Sequence, residues 1–302
     1  MGEPGSIKIH AMSEDSLPAD VEDLYDFFRR SDVVAEYGRL NRLLPSESLI
    51  LESWRPLLSK SRMLDVGVGA GRTAFHFAPL AASYVGIDVA EEMIAACRRR
   101  FEHFEVQATF KTVDVRNLID FEDSEFDVVL FSFNGLDTVG DDLDRGLALK
   151  EMARVLRPGG SLAVSCNNLG YAQWSMSIPA VVLARFRWYR SGLSVLRPRN
   201  LKRLAIEARR WRRHNPHLPR QPYAMVVEQR PRYELDRSAF ETPHEQVLIP
   251  MYWSLPSEQL RQLRSVGFET LRTLAPDGSD VTGLSDRQLA RWRWLYHVAQ
   301  RQ

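Results

Sequence analysis

The chain is poor in cysteine: Cys97 and Cys166 are the only two in 302 residues. That excludes a small disulfide-stapled secreted fold and a cysteine-rich metal site, and a reducing, cytoplasmic setting is expected. Nowhere is there a run of about 18 apolar residues, and the opening residues hold no apolar signal-peptide core, so neither a membrane span nor export is expected. Net charge is almost absent. Forty Lys and Arg oppose 39 Asp and Glu for a formal +1, which excludes polyanion binding by bulk electrostatics and confines any such role to a local patch. The seven histidines include no pair at metal-ligand spacing apart from His214 and His217 in a proline-broken stretch, so no metal site is expected. Internal repeats and low-complexity tracts are missing too. What is present is 44% hydrophobic and 26% charged residues, the balance of a globular protein with a sizeable core.

Residues 1–60 read as a helical lead-in, with Leu24, Phe27, Phe28, Leu40, Leu43 and Leu44 at helical spacing and Pro45 and Pro56 as breaks. From residue 61 short apolar strands alternate with amphipathic helices, the pattern of a parallel α/β sheet. Strands are expected at 62–66, 84–87, 109–112, 126–131 and 161–165, and helices at 72–80, 91–102 and 144–156. The last helix is closed by Arg157-Pro158-Gly159-Gly160. Residues 171–245 interrupt this rhythm. Between Arg185 and Arg220 lie 12 Lys or Arg and one acid, Glu207, and positions 201–213 form a basic amphipathic helix pattern. The α/β pattern then returns over 246–302, with a helix at 256–266 and strands near 269–274 and 294–300.

The segment Met63-Leu64-Asp65-Val66-Gly67-Val68-Gly69-Ala70-Gly71-Arg72 is a strand ending in an acid, followed by glycines at alternate positions and then a helix. Gly67 and Gly69 let the backbone turn tightly and a ligand approach it, while Gly71 lets the helix start close to the sheet. The helix N-terminus then faces a ligand's negative group. A second acid, Asp88, closes the next strand, where it can accept bonds from vicinal ribose hydroxyls; a third, Asp114, follows strand three, where it can accept from an adenine amine. Three carboxylates at consecutive strand ends suit a ligand with an adenosine and a cationic amino-acid portion. They would repel a pyrophosphate, which disfavours a nicotinamide dinucleotide.

With Phe126-Asp127-Val128-Val129-Leu130-Phe131 and Leu156-Arg157-Pro158-Gly159-Gly160 in order behind them, these segments resemble the class I S-adenosylmethionine-dependent methyltransferases over about residues 61–170 and 250–300. The resemblance implies a doubly wound, seven-stranded, mostly parallel Rossmann-like sheet; outside it lie the first 60 residues, expected as a helical N-terminal lid (1–60), and the basic insert (171–245). It implies S-adenosylmethionine as cofactor. Asp65, Gly67, Gly69, Gly71 and Arg72 would hold its methionine end, Asp88 the ribose, Val89 and Met93 the adenine faces, and Asp114 with Val115 the adenine edge. Phe131 to Asn134 would sit under the sulfonium, and Tyr37 resembles a residue of the family's lid helix.

On the substrate side, Asn134, Asp137, Asn167, Asn168 and Tyr171 follow strands four and five, whose C-terminal ends face the ligand crevice in an open α/β sheet. Asp137, Tyr171 and His244 are the candidate general bases, needed only for a poorly acidic hydroxyl acceptor. Cys97 and Cys166 read as packing residues. The expected activity is methyl transfer to O or N of a small molecule. For the basic segment three readings stand: a solvated lid face, a platform for an anionic acceptor, or a docking surface for RNA or a membrane. A non-catalytic S-adenosylmethionine-binding protein is the remaining alternative.

Overall fold

The computed structural model describes residues 11–12, 24–175, 222–231 and 246–302. Apolar strands that must be covered on both faces set its centre. Strands β2 (Arg62–Val66), β3 (Ser83–Asp88), β4 (Ala108–Thr112), β5 (Phe126–Phe131) and β6 (Leu156–Asn167) run parallel, and β10 (Trp294–Arg301) inserts antiparallel between β6 and β9 (Phe268–Leu274). The order is β4-β3-β2-β5-β6-β10-β9, the seven-stranded, mostly parallel sheet that the sequence led us to expect.

Alternation along the strands sorts the residues of β2, β5 and β6 into two clusters, one on each face of the main sheet. Leu64 and Val66 of β2, Val129 and Phe131 of β5 and Leu162 and Val164 of β6 share one with Ala148, Leu149 and Met152 of helix α6 (Asp142–Val155). Met63, Val128, Leu130 and Ala163 share the other with α3 (Pro45–Leu58) and α5 (Glu91–Phe101). Helices α1 (Leu24–Arg29) and α2 (Ser31–Arg39) pack on α5 near the carboxyl ends of the strands. The chain visits β2, β3 and β4 outward, then returns to β5 on the other side of β2. The carboxyl ends of β2 and β5 therefore flank a topological switch point, where open α/β sheets bind ligands.

Several expectations change. Ile50, Leu51, Trp54 and Leu58 place α3 in the sheet's own core. Pro45 starts α3, where its missing N–H costs nothing, and Pro56 sits in the last turn without ending the helix before it. The helix after the glycine loop is short, α4 (Ala74–Phe77) and one 3-10 turn (Ala78–Leu80). Residues 156–160 belong to β6, with Gly159 at φ 74°. Residues 246–254 leave the main sheet: β8 (Gln246–Ser254) pairs with β7 (Tyr223–Pro231), and β7 with β1 (Ala11–Met12), in a separate antiparallel sheet. The basic 201–213 pattern and His244 lie outside the described residues.

Candidate active site

The loop between β2 and α4 needs left-handed backbone at all three glycines: φ is 62° at Gly67, 54° at Gly69 and 85° at Gly71. A Cβ on Gly67 would lie 2.9 Å from Phe131, and one on Gly71 would lie 2.8 Å from the Cys97 sulfur. The loop is thus wedged between β5 and α5. Tyr37 of α2 lies over it: a Cβ on Gly69 would touch the Tyr37 ring at 3.5 Å, and that ring packs edge-on against Phe133.

Two aspartates set the loop's shape from opposite sides. Asp88, half-buried at the end of β3, accepts the Gly69 N–H at Oδ2 (2.9 Å) and the Ala90 N–H at Oδ1 (3.0 Å). Burial raises its pKa, and these backbone bonds oppose the rise. Each oxygen keeps acceptor capacity for a hydroxyl. Asp65 lies beneath the loop and is 1% exposed; its Oδ2 accepts the Thr73 hydroxyl at 2.5 Å and the Tyr84 hydroxyl. Burial pushes it up to about 7. In this geometry Asp65 braces the loop.

The other expected cofactor contacts divide. Val89 is exposed at the end of β3, whereas Met93 is 1% exposed in an apolar cluster with Phe27, Val34 and Ala70. Helices α1 and α2 thus pack over Met93. Val115 is buried in the core. Burial acts to raise Asp114, but hydrogen bonds from Arg116 win and hold it below its ordinary value. Both Asp114 oxygens accept from that guanidinium, so an adenine amine would share them. Arg72 is committed elsewhere: its two Nη atoms bind Glu47 at 2.5 and 2.6 Å, and its guanidinium lies over Phe133.

Glu47, which the sequence reading missed, is inaccessible to solvent. Besides Arg72 it accepts the Leu44 N–H (2.7 Å), the Tyr296 hydroxyl (2.8 Å) and the Ser132 hydroxyl. Burial works to raise its pKa, and Arg72, Ser132 and the Leu44 N–H together hold it below its ordinary value. One carboxylate thereby ties α3, the glycine loop, the end of β5 and β10 together. A Glu two residues after a helix-starting Pro reads in sequence as a cap, and nothing local reveals Arg72 as its partner.

Past Phe131, which is buried against Gly67 and Gly135, the chain turns through two successive left-handed residues, Phe133 (φ 55°) and Asn134 (φ 61°). Asn134 N–H donates to Ser165 Oγ (2.6 Å), and its Nδ2 donates to Asn167 Oδ1 (3.2 Å). Asn168, fully buried, donates from Nδ2 to the Leu289 and Trp292 carbonyls, which gives it a structural place.

The candidate bases fare differently. Asp137 is fully buried, ion-paired to Arg145 (2.7 Å), and accepts the Asn167 N–H (2.5 Å). These contacts join β6 to the turn after β5. Arg145 was also missed, although its place three, four and seven residues before Ala148, Leu149 and Met152 on the apolar face of α6 was the available signal. Tyr171, half-buried on α7 (Leu169–Ser175), packs against the cluster containing Trp253 and Met251. Both cysteines are buried, and burial pushes each thiol up to about 12, as packing residues require. A groove of about 590 Å³ between Leu260 and Thr270 lies at the amino-terminal end of the parallel strands, opposite the crevice.

Residues 63–160 match the model of a methyltransferase domain. Among curated relatives, the ubiquinone/menaquinone biosynthesis C-methyltransferase of Bdellovibrio bacteriovorus is 34% identical over 44% of this chain and 58% of its own length. The ubiquinone biosynthesis O-methyltransferase of a Bradyrhizobium strain is 32% identical over 40% and 46%. The chain therefore spans about half the length of the curated relatives it matches. Among solved structures, the CcbJ methyltransferase of Streptomyces caelestis superposes with a TM-score of 0.57 at 15% identity, covering 93% of this chain and 99% of that one. The 1,6-didemethyltoxoflavin-N1-methyltransferase of Burkholderia thailandensis, solved with 1,6-didemethyltoxoflavin and S-adenosylhomocysteine, gives 0.52 at 15% identity over 100% and 98%. These likenesses agree in fold with the strand order, and over residues 63–160, glycine loop included, the chain is similar to methyltransferase domains.

Proposed function

We propose that the protein transfers a methyl group from S-adenosylmethionine to an oxygen or nitrogen of a small-molecule acceptor. The carrying observation is Asp88 at the end of β3, gripping Gly69 N–H while both its oxygens keep acceptor capacity beside a left-handed glycine loop. Side chains at the three glycines would fill or distort that cradle, so the residues present suit a ligand that approaches the backbone. Asp88 would hold the ribose, the 67–71 loop and Tyr37 the methionine end, and Val89 with the Asp114–Val115 edge the adenine.

When bound, the cofactor supplies an electrophilic methyl on a sulfonium. The chain's part is to bind, align and exclude water. Phe131 walls the loop from the core, Phe133 and Tyr37 meet above it, and the Glu47–Arg72 pair fixes α3 against it. The acceptor would lie at the carboxyl ends of β5 and β6, beside Asn134 and Asn167. Tyr171 is the candidate base among the described residues if the acceptor is a poorly acidic hydroxyl.

Calorimetric titration with S-adenosylhomocysteine tests the reading. Wild type should bind and Asp88→Ala should lose most of the affinity. Cofactor-free wild type that shows no heat of binding would overturn it.

A further inference from the structure

The turn after β5 holds an unfinished hydrogen-bonded pair. Asn134 Nδ2 donates to Asn167 Oδ1, while the other half of each amide, Asn134 Oδ1 and Asn167 Nδ2, is buried without a partner. Asn167 is 2% exposed, so bulk water does not serve its amide. Native interiors seldom leave such groups unpaired, because each has given up its hydrogen bonds to water. Exchanging oxygen and nitrogen on both amides changes which residue donates, and still leaves one donor and one acceptor unused.

The surroundings hold this pair in place. Asn134 is locked in a left-handed conformation, with its N–H on Ser165 Oγ. The Asn167 N–H is fixed by Asp137, itself paired with Arg145. Gln259 Nε2 donates to the carbonyls of both Asn167 (2.8 Å) and Ser254 (3.0 Å), which brings β8 to the same point. There Ser254 Oγ is also buried without a partner. Two consecutive left-handed non-glycine residues at the switch-point end of β5 are the kind of backbone strain that persists where the surrounding structure imposes it for a purpose.

We propose that Asn134 and Asn167 form the acceptor-orienting element of the site, reading a substrate that presents an N–H or O–H donor beside a carbonyl, as a lactam or a hydroxy-carbonyl compound does. This rests on the methyltransferase reading above and deepens it. Amide groups do not take up a proton at neutral pH, so the pair positions the nucleophile and does not act as a base. The acceptor's lone pair forms the new bond to the methyl carbon, the carbon–sulfur bond breaks with its electrons passing to sulfur, and the acceptor's proton leaves to water. Asn134 and Asn167 are positioning residues in this scheme.

The test uses the full chain saturated with S-adenosylhomocysteine and two probes, 2-pyridone, with its N–H beside C=O, and N-methyl-2-pyridone, which lacks the donor. Wild type should bind 2-pyridone about tenfold or more tighter, the size of one well-made buried hydrogen bond. Asn167→Leu and Asn134→Gly, the latter keeping the left-handed backbone, should erase the preference, and Asn167→Leu should bind S-adenosylhomocysteine as wild type does. A preference absent from wild type, or kept in both variants, overturns the proposal while the cofactor reading stands. Failure of wild type to bind S-adenosylhomocysteine overturns both. If the variants do not fold, the Asn167 side-chain amide resonance of wild type decides: it should move with 2-pyridone and stay with the N-methyl compound, and a resonance that ignores both overturns the assignment.

Discussion

Arg72 holds Glu47 through both Nη atoms, at 2.5 and 2.6 Å, across 25 positions of sequence. The carboxylate is inaccessible and the guanidinium nearly so, and the pair anchors the residue after the glycine loop to a helix that precedes the whole sheet. Removing one partner would leave a buried charge alone.

Glu47→Ala should therefore destabilise the fold by about 3–5 kcal/mol, the cost of breaking a buried pair from one side. Removing both charges in Glu47→Ala with Arg72→Leu should cost clearly less than the sum of the single changes, because the two share one interaction. Urea unfolding of the four proteins in the cycle measures the coupling; strict additivity would show that the contact carries no energy.

Asp65 and His297 give opposing pH dependences. Burial holds Asp65 at about 7 against 3.8 when unfolded, so its contribution is complete below 3.8 and is lost as pH rises through 7. His297, fully buried between Thr273 and Gln259, is pushed down to about 4 from 6.5; its contribution is complete above 6.5 and is lost as pH falls through 4. Asp65→Asn, which cannot ionise, should gain on wild type by roughly 1.4 kcal/mol per pH unit between the two Asp65 values, levelling off above pH 7. Urea midpoints from pH 4 to 8 check this, and a pH-independent difference would refute it.

Gly71 meets two constraints at once, a φ of 85° and the Cys97 sulfur 2.8 Å from where a Cβ would stand. Gly71→Ala should cost roughly 2–4 kcal/mol, combining about 1–2 kcal/mol of left-handed strain with overpacking. Adding Cys97→Ala removes the sulfur and should recover part of the packing share, because the Phe101 ring, 3.1 Å from the same Cβ position, stays. Thermal melts of the single and double variants separate the two; full recovery would place the whole cost in packing.

The sheet was legible because its strands are apolar runs punctuated by glycine and acid, and each of β2 to β6 lies where those runs predict. The glycine loop was legible for the same local reason. What sequence reading missed depends on partners far along the chain. Glu47 looks like a helix cap until Arg72, Ser132 and Tyr296 converge on it, and Asp137 looks like a free acid at a strand end until Arg145 is folded over it. Met93 was placed against an adenine face by the family resemblance, and nothing in its own sequence neighbourhood tells that α1 and α2 pack over it.

The edge strand β9 hydrogen-bonds within the main sheet only to β10, which follows it in the chain. On the ribosome, residues 268–274 emerge before the strand that is to receive them, and β6 is ready well before its own neighbour exists. β9 can therefore reach the rim of the main sheet only by way of β10, whether it is added after β10 has docked on β6 or arrives already paired with it.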